Sequence, residues 1–312
     1  MSENSENRKE VLTRRKDALQ MRASVIRAIR DFFTNHDYLE VETPHRIPVP
    51  APEAHIDATA SGNWFLHTSP ELCMKRMLAA GYHRIFQICR CFRHEERGCL
   101  HLPEFTLLEW YRKDIDYREM MEECEDMIIS VARYLGRGEV ITYQGRQIDL
   151  QRSWERISVR EVFERYSSMS PEEALKDDLF DEIMVRDIEP HLGWGKPTFL
   201  YDYPVSLGAM AKTKKDDPTV AERFEIYIGS LELANAFSEL TDVNEQRQRF
   251  AREQQCRRSL GKTVYPAPEK FLDALDYMPE SAGAALGVDR LVMIFANTPA
   301  IDDVVAFTPE EL

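Results

Sequence analysis

The stretch between residues 92 and 103 concentrates charged and imidazole side chains between two apolar segments. The chemically capable residues of this loop are Arg93, His94, Glu95, Glu96, Arg97 and His101. A guanidinium group presents a planar fork of donors that matches phosphate oxygens, so this composition favours an anionic ligand over a plain turn. The sequence therefore predicts a polyanion site in this loop, and a triphosphate is a suitable ligand.

Carboxylates stand on a second predicted hairpin, in which segments 223–228 and 231–240 are joined at a Gly-Ser pair. Glu225 lies on the first segment, and Glu232 and Glu239 lie on the second. Because side chains alternate between the two faces of a strand, Glu232 and Glu239 are expected on opposite faces. Only a bulge or a kink would bring them to the same side.

The hydrophobic pattern predicts the elements that position these residues. Residues 85–92 and 105–111 alternate between apolar and polar side chains, which indicates an antiparallel hairpin around the charged loop. Residues 12–35 and 115–135 carry apolar side chains at helical spacing. The highly charged segment 242–260 predicts a helix whose charges form a solvated face.

Composition restricts the classes of function. The net charge of -14 argues against nonspecific nucleic-acid binding, which depends mainly on neutralising phosphates with Lys and Arg. No stretch approaches the roughly eighteen apolar residues of a membrane span, so we expect a cytoplasmic protein. Cys89 and Cys91, followed by Cys99 and His101, could be drawn as a metal site. Their spacing matches no zinc pattern, and packing groups are the favoured interpretation.

Three separated signatures resemble motifs 1, 2 and 3 of the class II aminoacyl-tRNA synthetases. They are the helix and strand that end at Pro44, the FRHEE…HLPEF hairpin, and GVDR at the start of an apolar helix. The stretches TSPE, PEFTLLEWY, LELANAFSEL and AALGVDRLVM are similar to the lysyl enzyme's catalytic core. The resemblance covers nearly the whole chain from residue 12 onward, and three ordered motifs are far more specific than one.

The resemblance implies an α+β fold, with an antiparallel sheet flanked by helices. It also implies a homodimer in which the first helix and strand form a two-fold contact. Residues 1–11 are predicted to be a disordered tail, and residues 12–312 a catalytic domain with a helical insertion near 153–195. No chemistry is expected from the insertion.

The resemblance also implies an ATP site. Arg93 would hold the α-phosphate and Arg290 the γ-phosphate, and both would be catalytic. Glu225 and Glu232 would bind Mg²⁺, because bare carboxylates would repel a triphosphate. The residues expected around the nucleotide are Arg93, His94, Glu95, His101, Leu102, Phe105, Glu225, Ile226, Gly287 and Arg290.

The same resemblance implies a lysine pocket in which acids bind two ammonium groups, because an unpaired buried charge is expensive. Glu71 and Glu239 would pair with the side-chain ammonium, and Glu109 would bind the other amine. The residues expected around the substrate are Ser69, Pro70, Glu71, Glu109, Tyr111, Glu232, Asn235, Glu239 and Ala285.

The lysyl synthetases carry an anticodon-binding domain of about a hundred residues before their core. Only residues 1–11 precede the first predicted helix here, so the chain is more similar to the free-standing elongation factor P lysine ligases. Ala285 supports this choice, because the lysyl synthetases have Gly at that point. The resemblance implies transfer of lysine, preferably (R)-β-lysine, to a lysine of elongation factor P, without stable tRNA binding.

Several residues depart from one or both of these relatives. Leu102 and His94 stand where Asn is usual, Ala236 adds a methyl group to the LANGF pattern, and Ser238 matches the synthetases. These departures leave open the exact amino acid and acceptor. Two alternatives also stay open: a minimal lysyl-tRNA synthetase-like enzyme that acylates RNA, and a regulatory relative without catalytic activity.

Overall fold

The computed structural model describes residues 10–312, and residues 1–9 lie outside the described part of the chain. Its strands are β1 (Leu39–Glu40), β2 (Arg46–Ile47), β3 (Ala60–Ser61), β4 (Trp64–Leu66), β5 (Arg84–Phe92), β6 (Glu104–Lys113), β7 (Val140–Tyr143), β8 (Arg146–Asp149), β9 (Glu155–Ser158), β10 (Thr198–Pro204), β11 (Val220–Ile228), β12 (Leu231–Ser238) and β13 (Ser281–Gly287).

The α-helices lie between and beside these strands. They are α1 (Lys16–Asn35), α2 (Glu71–Ala79), α3 (Tyr117–Tyr134), α4 (Val159–Tyr166), α5 (Pro171–Lys176), α6 (Phe180–Ile183), α7 (Val243–Ser259), α8 (Glu269–Leu275) and α9 (Val288–Ala296). Short 3-10 helices follow at Glu189–His191, Val205–Leu207, Ile301–Val304 and Pro309–Glu311. Among the described residues, no helix is both long and apolar enough to cross a membrane.

One eight-stranded sheet organises the fold, in the order β1-β5-β6-β13-β12-β11-β10-β9. The six central strands of this order (β5, β6, β13, β12, β11 and β10) are antiparallel to one another. Only the edge strands pair in parallel, β1 with β5 and β9 with β10. The predicted α+β class, with an antiparallel sheet flanked by helices, is confirmed.

The main core lies on one face of this sheet, beneath α1, α3 and α9. Phe86, Leu108 and Trp110 point into it from β5 and β6, as the alternation of the sequence predicts. The methionine-rich inner stripe of α3 is fully buried there too. The opposite face of the sheet is therefore free to carry polar residues.

Local sequence signals account for several element boundaries. Asp116 caps α3 in a capping box with Glu119, which satisfies backbone donors at the helix start. The hairpin of β11 and β12 turns at Gly229 and Ser230, both with positive φ, which suits a tight two-residue connection. These devices fix where the strands of the site begin and end.

Two predictions about the ends and surface of the chain were wrong in part. Residues 10 and 11 of the predicted disordered tail are helical. The charges of α7 do not all form a solvated face, because Arg249 and Arg257 are buried. Arg257 donates to backbone carbonyls of residues 53–56, so its charge is compensated inside the fold.

Candidate functional site

The site is built on one row of residues that crosses five strands of the sheet. Glu225 pairs with Asn235, which pairs with Ala285, then Glu109 and finally Gln87. Directly paired residues of neighbouring strands point to the same face. The row therefore places four polar side chains side by side, with the small Ala285 at its centre.

The central strand β13 opens this row into a trough because its site face is made of small residues. Gly283, Ala285 and Gly287 alternate on that face. A Cβ atom on Gly283 would lie 2.3 Å from the ring of Tyr111 and 2.6 Å from Oε1 of Glu239. Glycine is therefore required there for these two side chains to approach the sheet.

A β-bulge brings Glu232 and Glu239 to the same face of the sheet. The register of β11 and β12 shifts between Ile226, which pairs with Ala234, and Tyr227, which pairs with Glu232. The extra residue reverses the alternation before it. Glu232 and Glu239 therefore lie on the same face of the sheet, through a bulge of the kind named above as the exception to regular alternation.

A cavity of ≈ 380 Å³ lies over the trough, between the loop after β5 and the start of α9. Ten of the residues predicted from the sequence line it. They are Arg93, His101, Leu102, Phe105, Glu225, Glu232, Asn235, Ala285, Gly287 and Arg290. The hairpin of β5 and β6, the hairpin of β11 and β12, and the β13–α9 junction thus contribute to one cavity.

Arg93 is poised for a ligand on the loop side of this cavity. Its guanidinium carbon lies 5.0 Å from the ring centroid of Phe105, and its Nη1 lies 3.4 Å from Glu96. Its Nε is buried and has no hydrogen-bond partner. A buried donor without a partner is costly, so this position fits an anionic acceptor.

Arg290 enters the cavity from the first turn of α9. It donates to the backbone oxygen of Glu232 at 2.7 Å and contacts Nε2 of His101 at 2.7 Å. Burial and the neighbouring Arg290 guanidinium lower the pKa of His101, so the imidazole is neutral at pH 7. A neutral imidazole can accept this hydrogen bond, and Arg290 keeps its full positive charge.

Asp289 explains why Arg290 is held in place. Its carboxylate is 2 % exposed, and it accepts from Nη1 of Arg22 at 2.5 Å and from the backbone N–H of Thr106 at 2.7 Å. These bonds connect α9 to α1 and to β6. The first turn of α9, from which Arg290 enters the cavity, is therefore anchored to two neighbouring elements.

Glu225 and Glu232 are close enough to influence each other electrostatically. Burial, and then the charge of Glu232, raise the pKa of Glu225. Glu225 also accepts from Arg223 at 2.6 Å, Tyr203 at 2.5 Å and Tyr227 at 2.8 Å. This network fixes the carboxylate on the cavity wall.

Glu189 is a third acid near this pair, and the sequence interpretation missed it. It belongs to the insertion, from which no chemistry was expected. Burial, and then the charges of Glu232 and Glu225, raise its pKa to about 7. The insertion thus brings a carboxylate to the edge of the site, where Glu189 accepts a hydrogen bond from the hydroxyl of Tyr227 at 3.4 Å.

A second group of acids lies deeper in the trough, beside the cavity. Ser69 donates to Oε1 of Glu109 at 2.5 Å, and Tyr111 donates to its Oε2 at 2.8 Å. Burial, and then the charge of Glu71, raise the pKa of Glu109 to about 8. Four of the predicted substrate-binding residues, Ser69, Glu71, Glu109 and Tyr111, are thus brought together.

Lys75 is the unexpected member of this acidic group. Its Nζ lies 2.5 Å from Oε1 of Glu71 and 2.5 Å from Oε2 of Glu239, and the side chain is 1 % exposed. Burial, opposed in part by Lys75 and reinforced by Glu71, raises the pKa of Glu239 to about 8. The two acids assigned to a substrate ammonium already hold a lysine of the chain itself.

Buried acceptors without hydrogen-bond partners mark the same region. They are Oε1 of Gln87 and both carboxylate oxygens of Glu239, one of which has only its close ion contact with Lys75. Unpaired acceptors fit a ligand that donates protons, such as an ammonium group. The deep part of the trough is therefore complementary to a cation.

Glu53 completes the wall and was also missed from the sequence. It lines the cavity on a loop that Arg257 holds through the backbone oxygens of Glu53 and Ile56, at 2.7 and 3.0 Å. Burial, and then the charge of Glu71, raise its pKa to about 7. Its Pro-rich surroundings give no periodic signal by which a sequence could place it.

Some predicted residues lie elsewhere. Ile226 packs into the main core, because it alternates with Glu225 on β11, so only its backbone could reach a nucleotide. His94 and Glu95 are 57 % and 85 % exposed on the loop, outside the cavity lining. Pro70 is the N-cap residue of α2, and its neighbour Ser69 accepts from the N–H of Glu71.

The cysteines of β5 group differently from the metal site considered above. Cys89 and Cys91 lie near His67, with the ligating atoms within 4.8 Å of one another, whereas Cys99 is exposed. Nε2 of His67 lies 2.7 Å from the carbonyl oxygen of Arg90 and therefore donates to it. A nitrogen that donates a proton has no lone pair for a metal, so packing remains the favoured interpretation.

Comparison with known proteins gives a consistent result. The family model described as tRNA synthetases class II (D, K and N) matches residues 7–311.

Curated relatives match over nearly their whole length. A protein of Pectobacterium carotovorum subsp. carotovorum, named elongation factor P–(R)-beta-lysine ligase, is 40% identical over 309 residues, which cover 94% of this chain and 95% of the relative. Proteins of the same name from Erwinia tasmaniensis and Photorhabdus laumondii subsp. laumondii are 40% and 41% identical, each over 307 residues that cover 93% of this chain and 94% of the relative.

Proposed function

Because the chain belongs to the class II tRNA synthetases of the D, K and N family, we propose that it is an ATP-dependent ligase that activates lysine, preferably (R)-β-lysine, and transfers it to a lysine side chain of elongation factor P. The relatives' shared name supports the reaction and its acceptor. The observation that carries the proposal is the adjacency of an arginine-lined cavity to a buried cluster of acids.

The cavity supports the first half-reaction. A carboxylate oxygen of lysine attacks the α-phosphorus of ATP, the bond from that phosphorus to the bridging oxygen breaks, and pyrophosphate leaves. Positioning and electrostatic stabilisation supply most of the catalysis in phosphoryl transfer. Arg93, with its unpaired Nε, would hold the α-phosphate, and Arg290 would hold the γ-phosphate.

The nucleotide would lie along the wall made by β6 and β13. Phe105 lines the cavity beneath Arg93 and would stack on adenine. His101, held by Arg290, would contact a phosphate or the base, and Gly287 leaves space for close approach. Leu102 also lines the cavity and would make an apolar contact with the nucleotide there.

Magnesium fits the acids of the cavity. The charge of Glu232 raises the pKa of Glu225, and Glu189 adds a third carboxylate at the edge. Hard oxygen ligands of this kind suit Mg²⁺, which commonly binds one or two carboxylates together with phosphate oxygens. When bound, the ion would neutralise phosphate charge and orient the triphosphate.

The deeper cluster supports recognition of a molecule with two ammonium groups. Glu109, which Ser69 and Tyr111 orient, would accept one of them, and the free oxygens of Glu71 and Glu239 would accept the other. Asn235 and Ala285 lie between the two compartments in the central row of the sheet. A lysine bound there would present its carboxylate to the cavity.

The second half-reaction forms an amide bond. The side-chain nitrogen of the acceptor lysine attacks the carbonyl carbon of the adenylate, and AMP leaves as the carbon–oxygen bond breaks. The nitrogen loses one proton to solvent or to a base of the complex. The proposal includes a cytoplasmic homodimer with no stable tRNA partner.

The test is lysine-dependent exchange of pyrophosphate into ATP, measured with α-lysine and with (R)-β-lysine, followed by transfer of labelled lysine. The acceptors are elongation factor P, a control elongation factor P whose acceptor lysine is replaced by arginine, and lysine tRNA. We expect faster exchange with (R)-β-lysine than with α-lysine. Label should appear only on the elongation factor P that keeps its acceptor lysine. Label on tRNA would favour a synthetase, and exchange that does not depend on lysine would reject the substrate.

A further inference from the structure

Lys75 lies where the substrate's ammonium group was expected. It follows Glu71 by one turn of α2, and its Nζ is 2.5 Å from both Glu71 and Glu239. The Nζ also lies 4.8 Å from the ring centroid of Phe237 and 3.9 Å from Sδ of Met210. A cation is thus enclosed by two carboxylates, an aromatic face and a thioether.

The surroundings of Lys75 indicate that its ammonium group stays between Glu71 and Glu239. The side chain is 1 % exposed, so its ammonium is shielded from solvent. Separating one member of a buried ion pair leaves an uncompensated charge on each partner. Burial opposes the charge of Lys75, yet Glu239 and Glu71 together hold its pKa above the usual value.

The contacts of Lys75 leave acceptors available for a second cation. Lys75 uses Oε1 of Glu71 and Oε2 of Glu239, so each acid keeps one oxygen free. Oε1 of Glu239 is buried, has no partner and lies beside Tyr111, close to Gly283. This unpaired oxygen is the natural acceptor for an incoming ammonium group.

A count of charges supports the same conclusion. The three acids Glu71, Glu109 and Glu239, when ionised, carry three negative charges against the single positive charge of Lys75. The remaining two charges equal those of the two ammonium groups of lysine or β-lysine. Buried charges are tolerated when they are paired, so a diammonium substrate would leave this pocket neutral.

We infer that Lys75 is a fixed internal counter-ion, a positioning residue that orients the carboxylates of Glu71 and Glu239 for the substrate's ammonium group and lowers the cost of ionising Glu239. This inference rests on the proposed function, because it assigns a role within lysine recognition. Without Lys75, Glu71 and Glu239 would repel each other and share a proton, and the pocket would lose affinity for a cation.

The test replaces Lys75 with methionine, which has a similar length and no charge. Lys75→Met should raise the KM for lysine in pyrophosphate exchange at pH 7 by about tenfold or more, the effect of a lost charged contact. The KM for ATP should change less than about twofold, because Lys75 does not line the cavity. Lys176→Met, on exposed α5, is the matched control and should behave like wild type.

The pH profile separates this role from a merely structural one. Glu239 is faced by Lys75 and Glu71 on α2, and by Tyr111 and, through it, Glu109 on β6. Without the cation Glu239 keeps its proton to higher pH, so the difference in lysine KM between Lys75→Met and wild type should shrink as pH rises from 7 to 9. A constant difference at every pH, or an equal loss for ATP, would overturn the inference.

A second measurement does not depend on the variant's folding. A crystal structure of the wild-type protein with lysine bound should retain Nζ of Lys75 between Glu71 and Glu239, with the substrate's ammonium on their other oxygens. Displacement of Lys75 by the substrate, or a lower lysine KM in Lys75→Met, would contradict the inference. If wild type shows no lysine-dependent exchange, the proposed function itself has failed.

Discussion

The two compartments of the site differ in which buried hydrogen-bonding groups have no partner. The outer cavity has a buried donor without a partner, Nε of Arg93, whereas the inner cluster has buried acceptors without partners on Gln87 and Glu239. The outer compartment is therefore complementary to an anion and the inner one to a cation. An amino acid that carries ammonium groups and reacts through its carboxylate with a triphosphate matches this order.

The two compartments also differ in how their charge is balanced when empty. The arginines of the cavity bond partly to acids and to backbone oxygens of the site. The inner acids are balanced by Lys75 and by protons, since the pKa values of Glu109 and Glu239 are raised to about 8. Binding of the substrate's ammonium groups should therefore release protons from the inner compartment.

Removal of magnesium should have the largest effect on pyrophosphate exchange. It should act only through the outer compartment, where the triphosphate would bind. Without the ion, the acids Glu225 and Glu232 would repel the triphosphate, so chelation with EDTA should abolish pyrophosphate exchange. Excess Mg²⁺ should restore it. Lysine binding measured by calorimetry without ATP should survive chelation, and exchange that persists in EDTA would contradict the assignment of these acids.

Replacement of Arg93 should produce the next largest effect. Arg93→Ala removes a donor to the phosphate, and we expect exchange to fall by about a hundredfold to a thousandfold. Arg97→Ala is the matched control, because Arg97 stands on the same loop but pairs with Asp302 and Glu310. Equal losses in the two variants would show that the loop is merely sensitive to lost charge.

Two glycine substitutions test the two compartments separately, because each would add a methyl group to only one of them. Gly283→Ala would place a Cβ 2.3 Å from the ring of Tyr111, so the ring must shift. We expect a tenfold to hundredfold rise in the KM for lysine, from about 1–3 kcal/mol of overpacking.

Gly287→Ala is the matched partner of this variant. Its Cβ would have no neighbour closer than 3.9 Å, so the free protein should be unaffected. The methyl group would instead meet the nucleotide and raise the KM for ATP. If both glycines changed the same constant, the proposed division into two compartments would be wrong.

The pH dependence of lysine binding should give the smallest effect. Glu109 is faced by Ser69, Tyr111 and Glu71, and Glu239 by Lys75 and Glu71. Because both pKa values are raised, the empty pocket holds protons below pH 8, and these must leave when ammonium groups bind. The KM for lysine should fall by about tenfold from pH 6 to pH 7 if binding releases one proton from this coupled pair. A KM for lysine that rises between pH 6 and pH 7 would contradict this prediction.

The sequence was informative wherever local periodicity determines the structure. Alternation on β5 and β6 predicted which side chains face the core, and the Gly-Ser pair predicted the turn between β11 and β12. Ten predicted site residues line one cavity because their strands carry recognisable motifs. These signals are short-range, so they survive without knowledge of the tertiary structure.

The remaining features depend on long-range contacts. The bulge in β12 has no local signature, Lys75 is indistinguishable in sequence from an exposed helical lysine, and Glu53 lies in a Pro-rich loop. Glu189 reaches the site only because the insertion returns to the sheet. Each of these residues acquires its environment from elements far away in the chain, which composition and spacing do not encode.

Comparison of lysine with norleucine in pyrophosphate exchange tests the central claim most directly. Norleucine has the same carboxylate and chain length but lacks the side-chain ammonium group. If the inner acids recognise a diammonium substrate and deliver its carboxylate to the arginine-lined cavity, lysine or (R)-β-lysine should support exchange and norleucine should not. Equal exchange with norleucine, or none with either form of lysine, would contradict the account.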